Sequence, residues 1–245
     1  MTMVILKFKM PFINNAMDKL QLLKNTTIFS SLSPPELSVV SSLFIEQGFE
    51  KDEFIITEGD PPNWLCIVKE GNIKMVKHSP SGRDMIMAVM SAGDVIGEVA
   101  VFDGGPYPAT AQGMGNGIIL KISRKDFISL LKKYPSVALE IIGDLGRKLR
   151  GAMNVARELR GERVEGRIAM VLLKLARKLG TPVDGGVVLS ISFTRQDIAD
   201  MVGSTIETTI RVISRFKKEG IVRDSKGKMT LDVKRLESIL KEIEI

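Results

Sequence analysis

Glu207 and Arg211 stand four residues apart in the run STIETTIRVISRFKKEG, a spacing that puts both side chains on one face of a helix. An arginine so placed can donate two hydrogen bonds to guanine O6 and N7, and a glutamate one turn earlier can accept from cytosine N4 while steadying the guanidinium. Ile206, Ile210 and Ser214 fall on the same side. An outward pair of β-branched apolar residues is unfavourable in water, and contact with thymine methyl groups would recover that loss. The plainer reading of Glu207 and Arg211 is an i,i+4 surface ion pair, which contributes only about 0.2–0.5 kcal/mol. At the helix start, Ser204 and Thr205 precede backbone amides that have no intrahelical acceptor and suit a phosphate oxygen.

Such a helix needs an inner face and a fixed start. Thr209, Val212, Ile213 and Phe216 supply the inner face at helical spacing, Ser204 with Glu207 has the form of a capping box, and Gly220 ends the segment. Thr194 with Asp197 opens a shorter preceding helix, whose Arg195 is expected among the DNA-binding residues, and Gly203 provides the tight turn between the two. Two helices joined in this way form a helix-turn-helix. The following IVRDSKGKMTL predicts a hairpin turning at Ser225-Lys226-Gly227. Arg223, Lys226 and Lys228 on this wing suit backbone phosphates, which give affinity and register but carry no sequence information. Ahead of the pair lie a short strand, VVLSISF, and a helix, RIAMVLLKLARKLG, with Ile168, Val171, Leu172 and Leu175 on one face and Gly180 at its end.

Further upstream, Ala138, Ile142, Leu145, Leu149, Ala152, Ala156 and Leu159 recur in alternating steps of four and three, the pattern of a coiled-coil seam. A helix over 135–162 would be roughly 40 Å long at about 1.5 Å per residue, more than one small domain can bury, so the pattern predicts a homodimer. Between 49 and 122 the runs FIIT, WLCIV, IKMVKH, MIMAVM, VIGEVAVF and GIILKI alternate with glycine-containing turns. That punctuation predicts an antiparallel β-roll or jelly roll.

Composition sets the outer limits. A chain of 245 residues with 44% hydrophobic and 26% charged residues suits two soluble globular domains. Residues 163–245 hold 16 Lys and Arg against 11 Asp and Glu, whereas 1–162 hold 19 against 18, so the positive excess lies where a phosphate-bearing partner would be gripped. No apolar run reaches the roughly 18 residues of a membrane span and the start has no cleavage pattern, so a cytoplasmic protein without membrane contact is expected. Cys66 is the single cysteine, which excludes an intrachain disulfide and makes an iron–sulfur cluster or structural metal site unexpected; a buried inert thiol is the default. His78 precedes the turn-forming sequence Ser79-Pro80-Ser81-Gly82 and is expected to face solvent. Haem ligation by it or by one of the 13 methionines is disfavoured. With one histidine, no GxxxxGK[ST] loop and no HExxH, an enzyme is not indicated.

The order of GDVIGEVAVFDGG, the long helix, VEGRIAMVLLKLA and TRQDIADMVGSTIETTIRVISRF resembles the cyclic-AMP receptor protein and fumarate-nitrate reduction regulator (CRP/FNR) family over nearly the whole chain. The resemblance implies an α+β chain with a cyclic-nucleotide-binding-type β-roll (1–134), a dimerisation helix (135–162) and a winged helix-turn-helix (163–245). It implies a homodimer reading a two-fold symmetric duplex, a small-molecule effector that repositions the DNA-binding domains, and RNA polymerase as a further partner. Glu207 and Arg211 match the family's readout residues, while Ile206 replaces a further base-reading arginine of the cyclic-AMP member. In the loop 97–111 the family's glutamate is kept as Glu98, but Pro108 and Ala109 stand in place of the phosphate-binding arginine and its hydroxyl neighbour. Ala152 and Met153 replace the hydroxyls that meet adenine. Cyclic AMP is therefore not the expected effector, whose identity stays open. The expected pocket lies among Gly97, Glu98, Val99, Pro108, Ala109, Leu149, Ala152 and Met153, and its apolar lining favours a less charged ligand than a nucleotide. The rival reading is a cyclic-nucleotide-binding regulatory module that acts on a protein partner; the basic excess after 162 speaks against it.

Overall fold

Short apolar segments separated by glycine turns cannot build long helices, and they pair instead as antiparallel strands. The computed structural model describes residues 18–79, 84–158, 164–225 and 228–243. Two helices come first, α1 (Lys19–Asn25) and α2 (Pro34–Ser42), the latter started by a Ser33–Glu36 capping box with proline in its first turn. The roll follows as β1 (Ile45–Phe49), β2 (Phe54–Ile56), β3 (Trp64–Glu70), β4 (Ile73–Lys77), β5 (Met85–Met90), β6 (Val95–Ile96), α3 (Glu98–Asp103), β7 (Thr110–Gly113) and β8 (Gly117–Ser123). One sheet has the order β1-β8-β3-β6, the other β2-β7-β4-β5. Every pairing is antiparallel, for example Trp64 opposite Ser123 and Ile73 opposite Met90. Phe49, Ile56, Cys66, Val68, Ile73, Ile96 and Ile119 form one core cluster of the roll. A second cluster joins the β1-β8-β3-β6 sheet to α1, α2 and α4 (Arg124–Lys133).

One predicted run divides. VIGEVAVF gives a two-residue strand and then the short α3, because Gly97 takes a left-handed φ of 85° that ends the strand and caps the helix. The strands β1 and β7 have no apolar run of their own; β7 reads TAQG, and its small residues pack where its neighbours leave no room.

The long helix α5 (Pro135–Glu158) begins against the roll, with Val137 and Ile141 buried in the cluster between the helices and the β1-β8-β3-β6 sheet. The C-terminal part comprises α6 (Val164–Leu179), β9 (Gly180–Val183), β10 (Gly186–Leu189), α7 (Arg195–Val202), α8 (Ile206–Lys218), β11 (Val222–Ser225), β12 (Lys228–Leu231) and α9 (Val233–Ile243). Its strands form one sheet of order β11-β12-β10-β9. Its core, around Leu172, Leu189, Ile198, Ile213, Phe216 and Leu236, also takes in Val89 of β5, so the two halves of the chain pack directly together. No helix among the described residues is long and apolar enough to cross a membrane.

Candidate nucleic-acid interface and ligand cavity

The α7–α8 corner is set by local chemistry. Thr194 and Asp197 form the expected capping box, and Gly203 ends α7 with a left-handed φ of 62°. The cap of α8 is Thr205 rather than Ser204: its hydroxyl accepts the Thr208 amide at 3.3 Å. Thr209, Val212, Ile213 and Phe216 are all buried and fix the rotation of α8 about its axis. Glu207, Ile210, Arg211 and Ser214 consequently face outward, with Ile206 partly covered. No ion pair links Glu207 to Arg211 among the described residues, and Arg211 has no partner there. Glu207 instead accepts from its own backbone amide and from Thr205, which holds its carboxyl below the usual glutamate value. This outer face thus presents a free guanidinium, a carboxylate and an apolar pair, the groups that major-groove edges accept.

The wing is tied to the corner. Asp224 on β11 pairs with Arg195 at 3.0 Å and with Lys217 at 2.5 Å. Partial burial pulls the Asp224 carboxyl up, but Lys217 and Arg195 outweigh it and hold it below the ordinary aspartate value. Arg195, expected among the DNA-binding residues, is thus also paired within the protein, and its partner Asp224 is the residue that sequence reasoning missed. Arg223 donates to the Gly185 carbonyl at 2.6 Å, while Lys228 is exposed. Lys226 lies outside the described residues.

Along α5 the outward apolar residues are Leu139, Ile142, Leu149 and Met153, with exposures of 70%, 65%, 58% and 60%. Ile142 and Leu149 belong to the predicted seam; Ala138 and Leu145 are half-buried in their own chain, Leu145 against the roll's core. Leu139 and Met153, one residue off that register, complete the exposed stripe. Nothing is described of the Ala152 and Ala156 side chains, and Leu159 lies outside the described residues.

In the roll a cavity of about 460 Å³ opens beside α3. Gly97, Glu98, Val99, Pro108 and Ala109 line it as expected. Leu149 and Met153 do not; α5 contributes Lys148 instead. Ile56, Met75, Met87, Ala88, Met90 and Tyr107 complete the wall with Lys178, which comes from α6. Gly97 has little freedom to change, since a Cβ there would meet the Trp64 carbonyl oxygen and the Tyr107 ring, each at 3.1 Å. Lys148 bonds Glu98 at 2.7 Å and Asp144 at 3.3 Å. Burial pulls the Lys148 ammonium down, but the two carboxylates prevail and hold it above the ordinary lysine value. Lys178 pairs with Asp94 at 2.7 Å.

Elsewhere in the roll, Cys66 is buried, and loss of water pushes its thiol up to about 12, as an inert cysteine requires. His78 is exposed and sits 2.9 Å from Asp84 and 3.1 Å from Thr110. No group of three or more metal-ligating side chains occurs among the described residues.

The two halves meet through Lys178–Asp94 and through Lys74–Asp197 at 3.4 Å. Between the α7–α8 corner and the β4–β5 hairpin lies a cleft of about 760 Å³, lined by Lys77, Asp84 and Met85 on one side and Asp200, Thr205, Ile206 and Glu207 on the other. Burial first, then the charges of Asp197 and Asp84, raise the Asp200 carboxyl above its ordinary value. The first turn of α8 thus faces the protein's own roll.

Residues 46–134 match the cyclic nucleotide-binding domain family, and residues 166–239 match the Crp-like helix-turn-helix domain family. The chain is 27% identical over 217 residues to the CRP-like cAMP-activated global transcriptional regulator of Mycobacterium tuberculosis, covering 88% of this chain and 97% of that one. It is 24% identical over 213 residues to the anaerobic regulatory protein of Bacillus subtilis, covering 83% and 90%. Among solved structures, FixK2 from Bradyrhizobium japonicum superposes with a TM-score of 0.70 at 25% identity, covering 80% of this chain and 96% of that one. Two domain matches in this order, around a helix-turn-helix with exposed Glu207, Ile210 and Arg211 and a roll with a cavity beside α3, agree with relatives matched over nearly their whole length: the chain belongs to the CRP/FNR family of transcription regulators.

Proposed function

We propose that the protein works as a cytoplasmic homodimer that reads a two-fold symmetric duplex with α8 of each protomer and is controlled by a small molecule held in the roll cavity. The observation that carries this reading is the outer face of α8, where Arg211 has no partner among the described residues beside the 45% exposed Ile210, while four buried residues fix the helix from behind. A free guanidinium can give both of its donors to one guanine, and the apolar neighbours suit thymine methyls. Glu207, Ser214, Ser204 and Thr205 act around it, with Lys228 and Lys226 at the phosphates and Arg195 positioning the wing. The outward stripe Leu139, Ile142, Leu149 and Met153 supports pairing of two α5 helices along a coiled-coil-like seam. Family membership supports RNA polymerase as the partner through which the bound dimer acts.

Cyclic AMP itself is not the proposed effector, because Pro108 and Ala109 on the cavity wall offer a cyclic phosphate no cation and no hydroxyl. Effector occupancy is proposed to change how α7 and α8 sit against the roll. A recognition helix must enter a major groove about 12 Å wide with a phosphate strand on each side, and the roll, with Asp84 across the cleft from Glu207, stands in that path.

Selection of bound duplexes from a random pool by the purified full-length protein tests the reading. The expected winners carry two inverted half-sites about one helical turn apart, each with a G·C pair that loses its preference in Arg211→Ala. Recovery of no sequence above the starting pool, with and without cell extract as a source of effector, would end it.

A further inference from the structure

We propose that the roll cavity takes an uncharged, predominantly apolar small molecule; this rests on the reading of that cavity as the effector site. The polar groups around it are already matched to one another. The Tyr107 hydroxyl donates to the Trp64 carbonyl at 2.6 Å and accepts from the Trp64 amide at 2.9 Å. Glu98 holds Lys148, which also meets Asp144; Asp94 holds Lys178 and accepts from the Ser91 amide at 2.8 Å. The Pro108 carbonyl accepts from Lys77, whose ammonium also meets Glu58. Two lysines at the mouth could in principle replace the missing arginine for an anion, but each would first have to leave its carboxylate.

That exchange is unfavourable in this place. The Glu98 side chain is only 14% exposed, so an anion that captured Lys148 would leave a poorly hydrated carboxylate beside itself. A cation that captured Glu98 or Asp94 would strand a lysine in the same way. A neutral ligand leaves all these pairs intact and gains its binding from the apolar wall of Ile56, Met75, Met87, Met90, Ile96 and Val99. The three methionines are unbranched and polarizable, and they can fit a ring or a chain without strain. The lysine–carboxylate pairs then act as a polar rim over an apolar interior. Since Lys178 belongs to α6, one part of that rim is supplied by the C-terminal part of the chain.

The test uses full-length protein and the neutral dye Nile red, whose emission rises in apolar surroundings. Three competitors share one chain and differ only in the head group: decanol, decanoate and decyltrimethylammonium, all at pH 8. Decanol is expected to displace the dye at about tenfold lower concentration than either ion, the factor set by one broken pair at the rim. Ala88→Trp, at an exposed position on the cavity wall, is expected to abolish dye binding while circular dichroism and thermal midpoint stay as in the wild type. Val99→Lys, which adds an unmatched cation at the 45% exposed rim position, is expected to bring decanoate level with or ahead of decanol. Equal or better displacement of wild-type-bound dye by either ion, or by cyclic AMP, overturns the proposal. So does dye binding that survives Ala88→Trp, or its absence from the wild type because the partner protomer fills the space. Duplex affinity measured on the same samples separates the two readings: selectivity for decanol with no change in duplex affinity upholds the ligand chemistry and removes the cavity from regulation.

Discussion

The outer face of α8 and the roll cavity follow opposite electrostatic plans. On α8 the cation that could touch a base, Arg211, has no partner among the described residues, and Ile210 is 45% exposed. In the cavity Lys148 and Lys178 are each held by a carboxylate, and the Tyr107 hydroxyl is bonded twice to Trp64. A surface built to meet a polyanion keeps its donors open and accepts the cost of exposed apolar groups until the duplex arrives. A pocket whose charges are neutralised internally selects by shape and apolar area. On the reading proposed above, the difference lets one site change without the other, because the outer face of α8 and the cavity share no side chain.

The largest effect that separates the two plans is expected at Arg211. Arg211→Ala should weaken binding to the best duplex by about 1–3 kcal/mol and flatten preference at one G·C pair per half-site. The thermal midpoint should stay unchanged, because the side chain has no partner within the described residues. Fluorescence anisotropy with matched and substituted duplexes reads this directly. Loss of affinity without loss of preference would reassign Arg211 to the phosphates and erase the contrast with the lysines.

How much of each site was legible follows from the range of the interactions that build it. The inner face of α8 is a periodic pattern within eight residues, and all four of its members are buried. The glycine turn and the Thr194–Asp197 box are equally local. Even there the cap fell on Thr205 instead of Ser204, since adjacent hydroxyl residues both have the chemistry and only the chain's path chooses between them. The Arg195–Asp224 pair is not legible in the sequence because its members lie 29 residues apart, across the wing. The cavity is harder still. Its α3 loop is marked by Gly97 and Glu98, but Lys148 reaches Glu98 from 50 residues away, and Lys178 arrives only because the second domain packs on the first. The exposed stripe on α5 stands one position off the expected seam at Leu139 and Met153, because the cluster between the helices and the β1-β8-β3-β6 sheet claims Val137, Ile141 and part of Leu145.

A smaller effect is expected from the wing. Lys228 is exposed and has no base to read in this reading, so Lys228→Ala should weaken matched and unmatched duplexes by the same factor. The slope of log affinity against log salt should fall by about 1. Unequal loss between the two duplexes would place Lys228 in specificity and shift part of the readout from α8 to the wing.

The smallest effect is expected where the two plans meet, at the Lys178–Asp94 pair. Its side chains are 40% and 32% exposed, so its coupling should be only about 0.2–1 kcal/mol, and salt should screen it. If the pair helps to hold the helix-turn-helix against the roll, Lys178→Met and Asp94→Asn should each raise duplex affinity without effector by up to about fivefold. The double variant should gain no more than either single one. The two substitutions change net charge in opposite directions, so a shared sign of effect cannot come from altered attraction to phosphate. Lys74–Asp197, with side chains 20% and 13% exposed, remains as a second tie and limits the gain. Opposite signs, or gains that add, would mean that Lys178 and Asp94 act separately on the duplex, and that the cavity rim is not mechanically linked to the reading helix.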